Sequence, residues 1–304
     1  MKAKNRLNTT RGLLIINKTM NKQTIGFIGQ GWIGKNYADN FESRGYDVIR
    51  YALEEPYAQN KDKIKDCDIV FVAVPTPTTI DGFNCDILKD VVGLVGDGKI
   101  AVIKSTILPN TTEEIQELYP EIFVLHSPEF LTEKTAKYDT DFPDRNIIGI
   151  TNIGRTDLHE RACEVMETLP EAPYTMICSS RESAMIKYIG NCYFFVKNVF
   201  FNMMYDLSEG IGADYDKIRQ GVIGDPRIDA VHTSPIHKDG RGAGGHCLPK
   251  DFEALRRLMQ DTEINTDTDK KLMTDIFKDL IKLNNEYLIR SGKDIDIIRG
   301  IYNI

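Results

Sequence analysis

A glycine-rich segment between a strand-like run and a helix-like run limits the fold of this 304-residue chain more than any other feature. The apolar run Thr24–Ile28 leads into Gly29-Gln30-Gly31-Trp32-Ile33-Gly34, and a helical pattern follows. In that setting G-x-G-x-x-G is typical of a dinucleotide site. Gly29 makes the tight turn, Gly31 lets backbone approach a pyrophosphate, and Gly34 lets the helix pack on the strand. The alternative is an ordinary strand–helix turn.

Further apolar runs alternate with helical stretches, which predicts an α/β domain with a doubly wound parallel sheet. The predicted strands are Thr24–Ile28, Asp47–Tyr51, Asp68–Val74, Lys99–Lys104, Glu121–His126, Asn146–Ile150 and Tyr174–Cys178, with a helix over Arg155–Leu169. Three of them end in polar or proline-containing loops, at 75–78, 105–112 and 127–131. Ligands bind at the carboxyl ends of such strands. We therefore predict a cofactor-binding domain over 23–178 with its site at this edge.

The second strand lacks the acid that normally binds the adenosine ribose. Tyr51 or Ala52 occupies its place, with Arg50 before it and Glu54-Glu55 after it. An arginine there can face the 2′-phosphate of NADP, although a solvated arginine at a strand edge is commoner. The two glutamates oppose a phosphate, so the sequence favours NAD and leaves NADP open. The predicted cofactor contacts are Gly29, Gly31, Trp32, Ile33, Gly34, Val74, Pro75, Thr76, Ser105 and Thr106.

From Ser180 to Gly210 the pattern is helical, which is long for a globular helix. Between 192 and 201 it is apolar nearly all round, more than one domain face needs. This predicts a helical dimerisation domain over 179–304 and a twofold homodimer. Lys187 and Asn191 share one face of this helix because they are four residues apart. Taken alone, such a pair is usually solvated.

The segment Gly240–Asp251 contains four glycines in six positions and then a single thiol, Cys247. Four glycines permit positive φ and close approach of backbone to a ligand. Pro249 suits the first turn of a helix, so Cys247 is expected at a helix N-terminus, where the dipole favours a thiolate. It should then be the most reactive of the six cysteines. The alternative is a glycine loop with a buried, inert cysteine.

The composition excludes several classes of protein. A formal net charge of −7 argues against nucleic-acid binding, and apolar runs are too short to span a membrane. Six cysteines without a CxxC or zinc-ligand pattern predict free thiols in the cytoplasm and no metal site. Residues 1–22 hold six basic and no acidic residues. We interpret them as a disordered tail or the result of an upstream start codon, with a transit peptide as an alternative.

Six motifs, in order over about 23–290, resemble the UDP-glucose/GDP-mannose dehydrogenase family. The matching segments are Val74-Pro75-Thr76-Pro77, Ser105-Thr106 with Pro109–Thr112, Pro128-Glu129-Phe130-Leu131, the Lys187/Asn191 pair, Asp225-Pro226-Arg227 and Gly244–Asp251. The resemblance implies a Rossmann-type NAD domain and a four-electron oxidation of a nucleotide sugar's primary alcohol to a carboxylate. It also implies a third, UDP-binding domain, which we expect this chain to lack. Activity on nucleotide sugars is then expected to be weak unless a separate chain supplies that domain.

The resemblance also implies roles for individual residues. Cys247 is the nucleophile that forms a thiohemiacetal and then a thioester. Lys187 stabilises the oxyanion, with Asn191 as a neutral donor beside it. Asp251 orients water or Lys187. The hydrolytic water is held by two residues at strand ends, Thr106 and Glu129.

Several alternatives stay open at this stage. His246 resembles the N-acetylhexosamine-type relatives, whereas Pro249-Lys250-Asp251 resembles the glucose and GDP-mannose types, so the sugar is undetermined. His246 is either a catalytic base or a solvent-facing loop residue. A two-electron hydroxyacid dehydrogenase shares the Lys-x-x-x-Asn pair but has no use for Cys247. A non-catalytic cofactor-binding subunit is the third possibility.

Overall fold

The computed structural model describes residues 23–264, 266–302 and 304. The basic segment 1–22, interpreted above as a tail, lies outside the described residues. Within the described part, no helix combines the length and the apolar character that crossing a membrane requires.

A seven-stranded sheet forms the first half of the described chain, and its strands follow the apolar runs of the sequence. The strands are β1 Thr24–Ile28, β2 Asp47–Tyr51, β3 Ile69–Val72, β6 Ile100–Ile103, β7 Phe123–His126, β8 Arg145–Ile150 and β9 Tyr174–Ser179, in the order β2-β1-β3-β6-β7-β8-β9. Two short hairpins are made by β4 Thr78–Thr79 with β5 Gly82–Phe83, and by β10 Ile236–His237 with β11 Gly240–Arg241. The predicted α/β fold class is confirmed.

Both faces of the sheet are covered by helices, and the side chains of each strand alternate between two cores. Ile69 and Phe71 of β3 pack into one core with Phe27 and Phe41, whereas Val70 and Val72 pack into the other. The flanking helices are α1 Trp32–Ser43, α2 Asp86–Val92, α3 Thr111–Leu118, α4 Ala136–Asp141 and α5 Thr156–Thr168, with a 3₁₀ segment at Ala58–Asp66.

One feature of the sheet differs from the predicted all-parallel arrangement. β8 pairs antiparallel to β7, and β9 pairs parallel to β8, so the last two strands run opposite to the first five. An apolar run is the same for either strand direction, so the hydrophobic pattern contains no sign of the reversal. The register pairs Ile150 with both Leu125 and Ser179, so β9 ends level with the end of β7.

The second half of the described chain is helical. Its helices are α6 Ser180–Gly210, α7 Tyr215–Ile223, α8 Leu248–Asp261, α9 Asp267–Ser291 and α10 Ile295–Ile301. α6 begins with a capping box in which the Ser179 hydroxyl accepts from the Glu182 amide and the Glu182 carboxylate accepts from the Ser179 amide. The ring of Phe252 on α8 stacks between those of Phe195 and Phe277, with ring centroids 4.0 and 4.2 Å apart. This core joins α6, α8 and α9.

α6 approaches the sheet closely where β8 carries a glycine. A Cβ atom on Gly149 would lie 2.1 Å from the Ser183 Oγ atom and 2.7 Å from the Ser180 Cα atom. The first turns of α6 therefore rest against the sheet. From there the helix extends beyond the carboxyl edge of β7, where the predicted catalytic residues lie.

Candidate active site

The glycine loop after β1 has the geometry that a dinucleotide requires. Gly29 has φ +90°, and a Cβ atom there would lie 2.2 Å from the Ala73 carbonyl oxygen. A Cβ atom on Gly34 would lie 1.9 Å from the Gly29 carbonyl oxygen, so both glycines are needed for packing. A Cβ atom on Gly31 would meet nothing among the described atoms within 4 Å. Gly31 thus faces the open space in front of α1, where backbone amides can bind a pyrophosphate.

The start of α1 is also free to receive an anion. Within the part of the chain that the structure describes, no side chain caps this helix start at Gly31. Trp32 is exposed beside it, whereas Ile33 is partly buried against the sheet core. These observations fit a dinucleotide phosphate at the α1 N-terminus.

The loops after β3 and β6 are joined by hydrogen bonds at the carboxyl edge. The Ser105 hydroxyl donates to the Val74 carbonyl oxygen at 2.7 Å and accepts from the Val74 amide at 3.0 Å. The Thr76 hydroxyl donates to the Thr106 carbonyl oxygen at 2.7 Å. Pro75 lies exposed between them. The loops therefore form one wall, in which the Ser105 and Thr76 hydroxyls have structural partners.

Arg50 is neither solvated nor free to face a phosphate. Its guanidinium lies 2.7 Å from the Asp39 carboxylate and 2.7 Å from that of Glu42, both on α1. Tyr51, which stands at the ribose-binding position in the sequence, is buried, and its carbonyl oxygen accepts from the Gly29 amide at 2.8 Å. Sequence reasoning missed Asp39 and Glu42; their separation by three residues on α1 is the signal that would have placed them on one face.

A buried ion pair lies beyond the end of β7. The Lys187 Nζ atom donates to the Glu129 Oε1 atom at 2.8 Å, and both side chains are more than nine-tenths buried. The other oxygen of Glu129 accepts from the Leu131 amide at 2.8 Å. The Lys187 ammonium also lies 5.7 Å from the centroid of the Phe130 ring. Hydrogen bonds on both oxygens and a cation fix the orientation of the Glu129 carboxylate.

α6 presents three polar side chains at four-residue intervals, and each contacts a different segment. Ser183 Oγ is 2.7 Å from His126 Nδ1, Lys187 contacts Glu129, and Asn191 Nδ2 donates to Asp251 Oδ2 at 2.6 Å. The predicted single-face placement of Lys187 and Asn191 is thus present in the structure. Neither residue is simply solvated, because both are bonded to carboxylates.

Cys247 is the N-cap residue of α8, and the residue as a whole is exposed, unlike the other five cysteines, whereas its thiol group is largely desolvated. Asp251 lies one turn further on. Its amide donates to the Cys247 carbonyl oxygen at 2.9 Å, and its carboxylate accepts from Asn191 and, at 2.6 Å, from Lys250 Nζ. Asp251 is therefore bonded to Asn191 and Lys250. Lys250 was not among the predicted site residues, although it belongs to the same Pro-Lys-Asp segment.

The surroundings of Cys247 act against the thiolate that its place at the helix start was expected to favour. The pKa of the Cys247 thiol is raised, first by desolvation and then by the Asp251 carboxylate. Lys187 and Lys250 act in the opposite direction, and Glu129 raises the pKa slightly further. These causes show that the thiol senses the charges of both the α6 and α8 groups. The structure thus brings Cys247, Lys187, Glu129 and Asp251 into one site.

The glycines before Cys247 meet protein rather than open space at three of four positions. Cβ atoms on Gly240, Gly242 and Gly244 would lie 2.6, 3.0 and 2.0 Å from side-chain atoms of the α9–α10 region. Gly245, with φ +77°, has no described atom within 4 Å of such a Cβ position. Three of the four glycines therefore allow close packing of the protein on itself, and Gly245 is the one with space for a ligand beside it. His246 beside it is exposed.

Two buried basic residues behind the site were not predicted. Lys104 donates to Ser127 Oγ at 3.3 Å and lies 4.3 Å from the Tyr37 ring centroid; burial lowers its pKa to about 7. His126 is fully buried, and burial lowers its pKa to about 3. Both stand at strand ends, which was their only signal in the sequence. No group of three or more His, Cys, Asp or Glu side chains within the described residues is placed to hold a metal ion.

Comparisons with known proteins identify the family to which both halves of the described chain are similar. Residues 55–169 match the NAD binding domain of the UDP-glucose/GDP-mannose dehydrogenase family, and residues 181–284 match its central domain. UDP-glucose 6-dehydrogenase YwqF of Bacillus subtilis (strain 168) is 32% identical over 232 residues, covering 72% of this chain and 48% of the relative. The chain spans about half the length of the curated relatives it matches.

Solved structures show the same fold. A UDP-glucose dehydrogenase from Pyrobaculum islandicum superposes with a TM-score of 0.75 and 23% identity, covering 91% of this chain and 71% of that one. A UDP-D-ManNAc dehydrogenase from Pyrococcus horikoshii gives a TM-score of 0.71 with 20% identity, covering 87% and 68%.

Proposed function

Because the chain belongs to the UDP-glucose/GDP-mannose dehydrogenase family, we propose that it is an oxidoreductase converting the primary alcohol of a nucleotide sugar to a carboxylate. The observation that supports this most is the convergence on Cys247 of the Lys187–Glu129 and Asn191–Asp251 pairs. An enzyme that stops at the carbonyl compound has no need of a thiol there. This favours a four-electron oxidation over a two-electron hydroxyacid dehydrogenase.

The nicotinamide dinucleotide would be held by the loop Gly29–Gly34 and by the wall formed by the loops after β3 and β6. Each molecule of the cofactor would accept one hydride, so two molecules bound in succession would take up the two hydrides that the overall oxidation releases. Gly31 leaves room for the pyrophosphate, and α1 contributes its free amides. Val74 and Thr76, held by Ser105 and the Thr106 carbonyl oxygen, fix the wall against which the cofactor lies.

Cys247 provides the covalent step. Its sulfur forms a bond to the aldehyde carbon, and the aldehyde oxygen becomes an oxyanion that Lys187 stabilises, with Asn191 as a second donor. After oxidation of this adduct, water attacks the thioester carbon and the carbon–sulfur bond breaks, which regenerates the thiol. The raised pKa of Cys247 means that a base must take the thiol proton before the sulfur attacks.

Glu129 is proposed to act as the general base for the hydrolytic water. Its carboxylate is fixed by Lys187 and by the Leu131 amide, so it can accept a proton from water in one orientation. Thr106, in the loop after β6, is proposed to hold the same water. Asp251 holds Asn191 in place and accepts a hydrogen bond from the Lys250 ammonium.

The surroundings of Arg50 favour NAD over NADP. Two carboxylates neutralise its single charge, so a 2′-phosphate there would meet net negative charge. We expect NAD to bind more tightly than NADP. Fluorescence titration of both cofactors measures this directly. A preference for NADP of about tenfold or more, about 1.4 kcal/mol, would contradict the assignment.

The nucleotide part of the substrate and the oligomeric state are further parts of the proposal. Since the chain matches about half the length of its curated relatives, we propose that a third unit supplies the nucleotide contacts. It is either part of a longer chain or a separate protein. We also propose a homodimer formed through α6, because that helix exposes an apolar face.

The proposed reaction is tested by product analysis with UDP-glucose, UDP-N-acetylhexosamines and GDP-mannose. The expected result is a uronic acid with two reduced cofactors per molecule of product. A carbonyl product with one reduced cofactor would indicate the hydroxyacid type of reaction. Cofactor binding without turnover on any of these sugars, in the presence of the unit that binds the nucleotide, would support a non-catalytic subunit.

A further inference from the structure

The segment between α9 and α10 holds the glycine loop that leads to Cys247. The Asp294 Oδ2 atom accepts from the Gly245 amide at 2.7 Å, and the Lys293 Nζ atom donates to the Gly242 carbonyl oxygen at 2.9 Å. The Ser291 hydroxyl accepts from the Arg241 amide at 3.0 Å. The end of α9 and the turn after it thus contact three backbone groups of the loop.

A buried asparagine on α9 holds the middle of the same loop. The Asn284 Oδ1 atom accepts from the Ala243 amide at 2.7 Å, and its Nδ2 atom donates to the Ala243 carbonyl oxygen at 3.0 Å. Asn284 is fully buried, so both bonds are shielded from water. The loop backbone is therefore bonded to α9 and its following turn from Arg241 to Gly245.

Two glycines of the loop are needed for its close packing against the segment between α9 and α10. A Cβ atom on Gly244 would lie 2.0 Å from Asp294 Oδ2, and one on Gly240 would lie 2.6 Å from the Lys293 Cβ atom. Asp294 itself has φ +52°, a left-handed conformation that non-glycine residues seldom adopt. Such a conformation persists where surrounding contacts hold it, and the hydrogen bond from the Gly245 amide to the Asp294 carboxylate is one such contact.

We propose that Asp294 is a positioning residue for Cys247: its carboxylate fixes the Gly245 amide and thereby sets where the thiol stands relative to Lys187 and Asp251. This role rests on the proposed function for its catalytic consequence. Only His246 separates Gly245 from Cys247, and the Cβ position of Gly245 meets no described atom within 4 Å. Without the Asp294 bond, the backbone can rotate at Gly245, although Lys293 and Asn284 still hold Gly242 and Ala243. The position of the sulfur relative to Lys187 and Asp251 is then less tightly fixed.

The test compares Asp294→Ala with Asp294→Asn, which keeps an acceptor oxygen, and with Asp296→Ala as the matched control. Asp296 is an exposed acid in the first turn of α10. Two measurements need no substrate: hydrogen exchange at the Gly245 amide, and the alkylation rate of Cys247 followed by peptide mass spectrometry. Release of the loop should speed exchange and raise alkylation at least about 3-fold, because the thiol leaves the site whose desolvation raises its pKa.

The kinetic readout separates positioning from a general structural role. We expect kcat for acid formation to fall at least about 10-fold in Asp294→Ala, with KM within about twofold, since misplacement of a reacting group mainly affects the chemical step. Asp294→Asn should recover most of the loss, and Asp296→Ala should behave as the wild type. A thiol that becomes more reactive while the enzyme becomes slower is the signature of lost positioning.

The contrary outcomes distinguish the positioning role of Asp294 from the proposed function. Unchanged exchange and alkylation in Asp294→Ala would overturn the positioning role, as would faster exchange with unchanged kcat. If the wild-type protein oxidises no nucleotide sugar, the proposed function fails, and the alkylation and exchange results still decide whether Asp294 positions the thiol.

Discussion

The exposed side of α6 carries an apolar stripe, and we predict that a charge placed on it separates two copies of the chain. The stripe residues alternate four and three positions apart and are between 37% and 58% exposed: Ile189, Tyr193, Val196, Phe200, Met203 and Leu207. This spacing is that of a helix packing along a second helix. Tyr188 and Phe195, on another face of the same helix, pack into the core of the same subunit. This apolar face of α6 therefore remains exposed in the folded subunit.

Phe200 lies near the middle of the stripe, and its exposed area is used to calculate the expected change in the free energy of association. It is 49% exposed. Complete burial of a Phe contributes about 1.5–3 kcal/mol, so covering the exposed half contributes about 1 kcal/mol per copy. Both copies in a twofold dimer carry the substitution, so Phe200→Ala should weaken association by about 2 kcal/mol. Phe200→Glu adds the burial of a charge, at least about 1 kcal/mol per copy. The total of about 4 kcal/mol corresponds to roughly 1000-fold in Kd.

Sedimentation velocity across a range of protein concentrations measures the effect. The wild type should be a dimer at micromolar concentration and Phe200→Glu a monomer. Leu118→Glu is the matched control, because Leu118 is 55% exposed on α3, away from the stripe. A monomeric wild type would refute the reasoning. So would equal dissociation in the Leu118 and Phe200 variants.

Three further predictions concern the site itself. Cys247→Ser should abolish acid formation, followed by mass spectrometry, and leave cofactor affinity within about twofold; acid at the wild-type rate would exclude the thiol mechanism. Gly34→Ala places a methyl group 1.9 Å from a backbone oxygen and should lower the free energy of unfolding by at least about 2 kcal/mol. Gly31→Ala should keep the wild-type melting temperature but weaken cofactor binding, and equal melting temperatures for the two variants would contradict the assigned geometry. Lys187→Met leaves the Glu129 carboxylate buried without its cation and should cost about 3–5 kcal/mol in urea unfolding. Lys187→Met/Glu129→Gln should regain much of that, and a double variant no more stable than the single one would show that the pair is not coupled.

The strands and long helices were predictable because their signals are local. The run Thr24–Ile28 is bounded by a glycine turn, and α6 begins where the sequence supplies a Ser-x-x-Glu capping box. Strand direction is not local. The reversal at β8 depends on which edge the chain reaches after α4, and no residue of β8 encodes that choice by its apolar character.

The candidate site was predictable in its residue types but not in its bonds. Cys247, Lys187 and Glu129 were identified from short motifs, whereas their partners come from segments far apart in sequence. Asp294 is 49 residues from the amide that it holds. Desolvation raises the pKa of Cys247 most, and it likewise depends on which segments pack around the thiol and not on the motif itself.

The four-residue intervals on α6 also limit how the length of such a chain can vary. Ser183, Lys187 and Asn191 reach three different segments from one face of one helix. Inserting or deleting one residue between them would rotate everything beyond that point by about 100° around the helix axis, turning Asn191 away from Asp251. The stretch 183–191 should therefore tolerate no change of length, and Tyr188, which packs into the core, also limits substitution between the three polar residues.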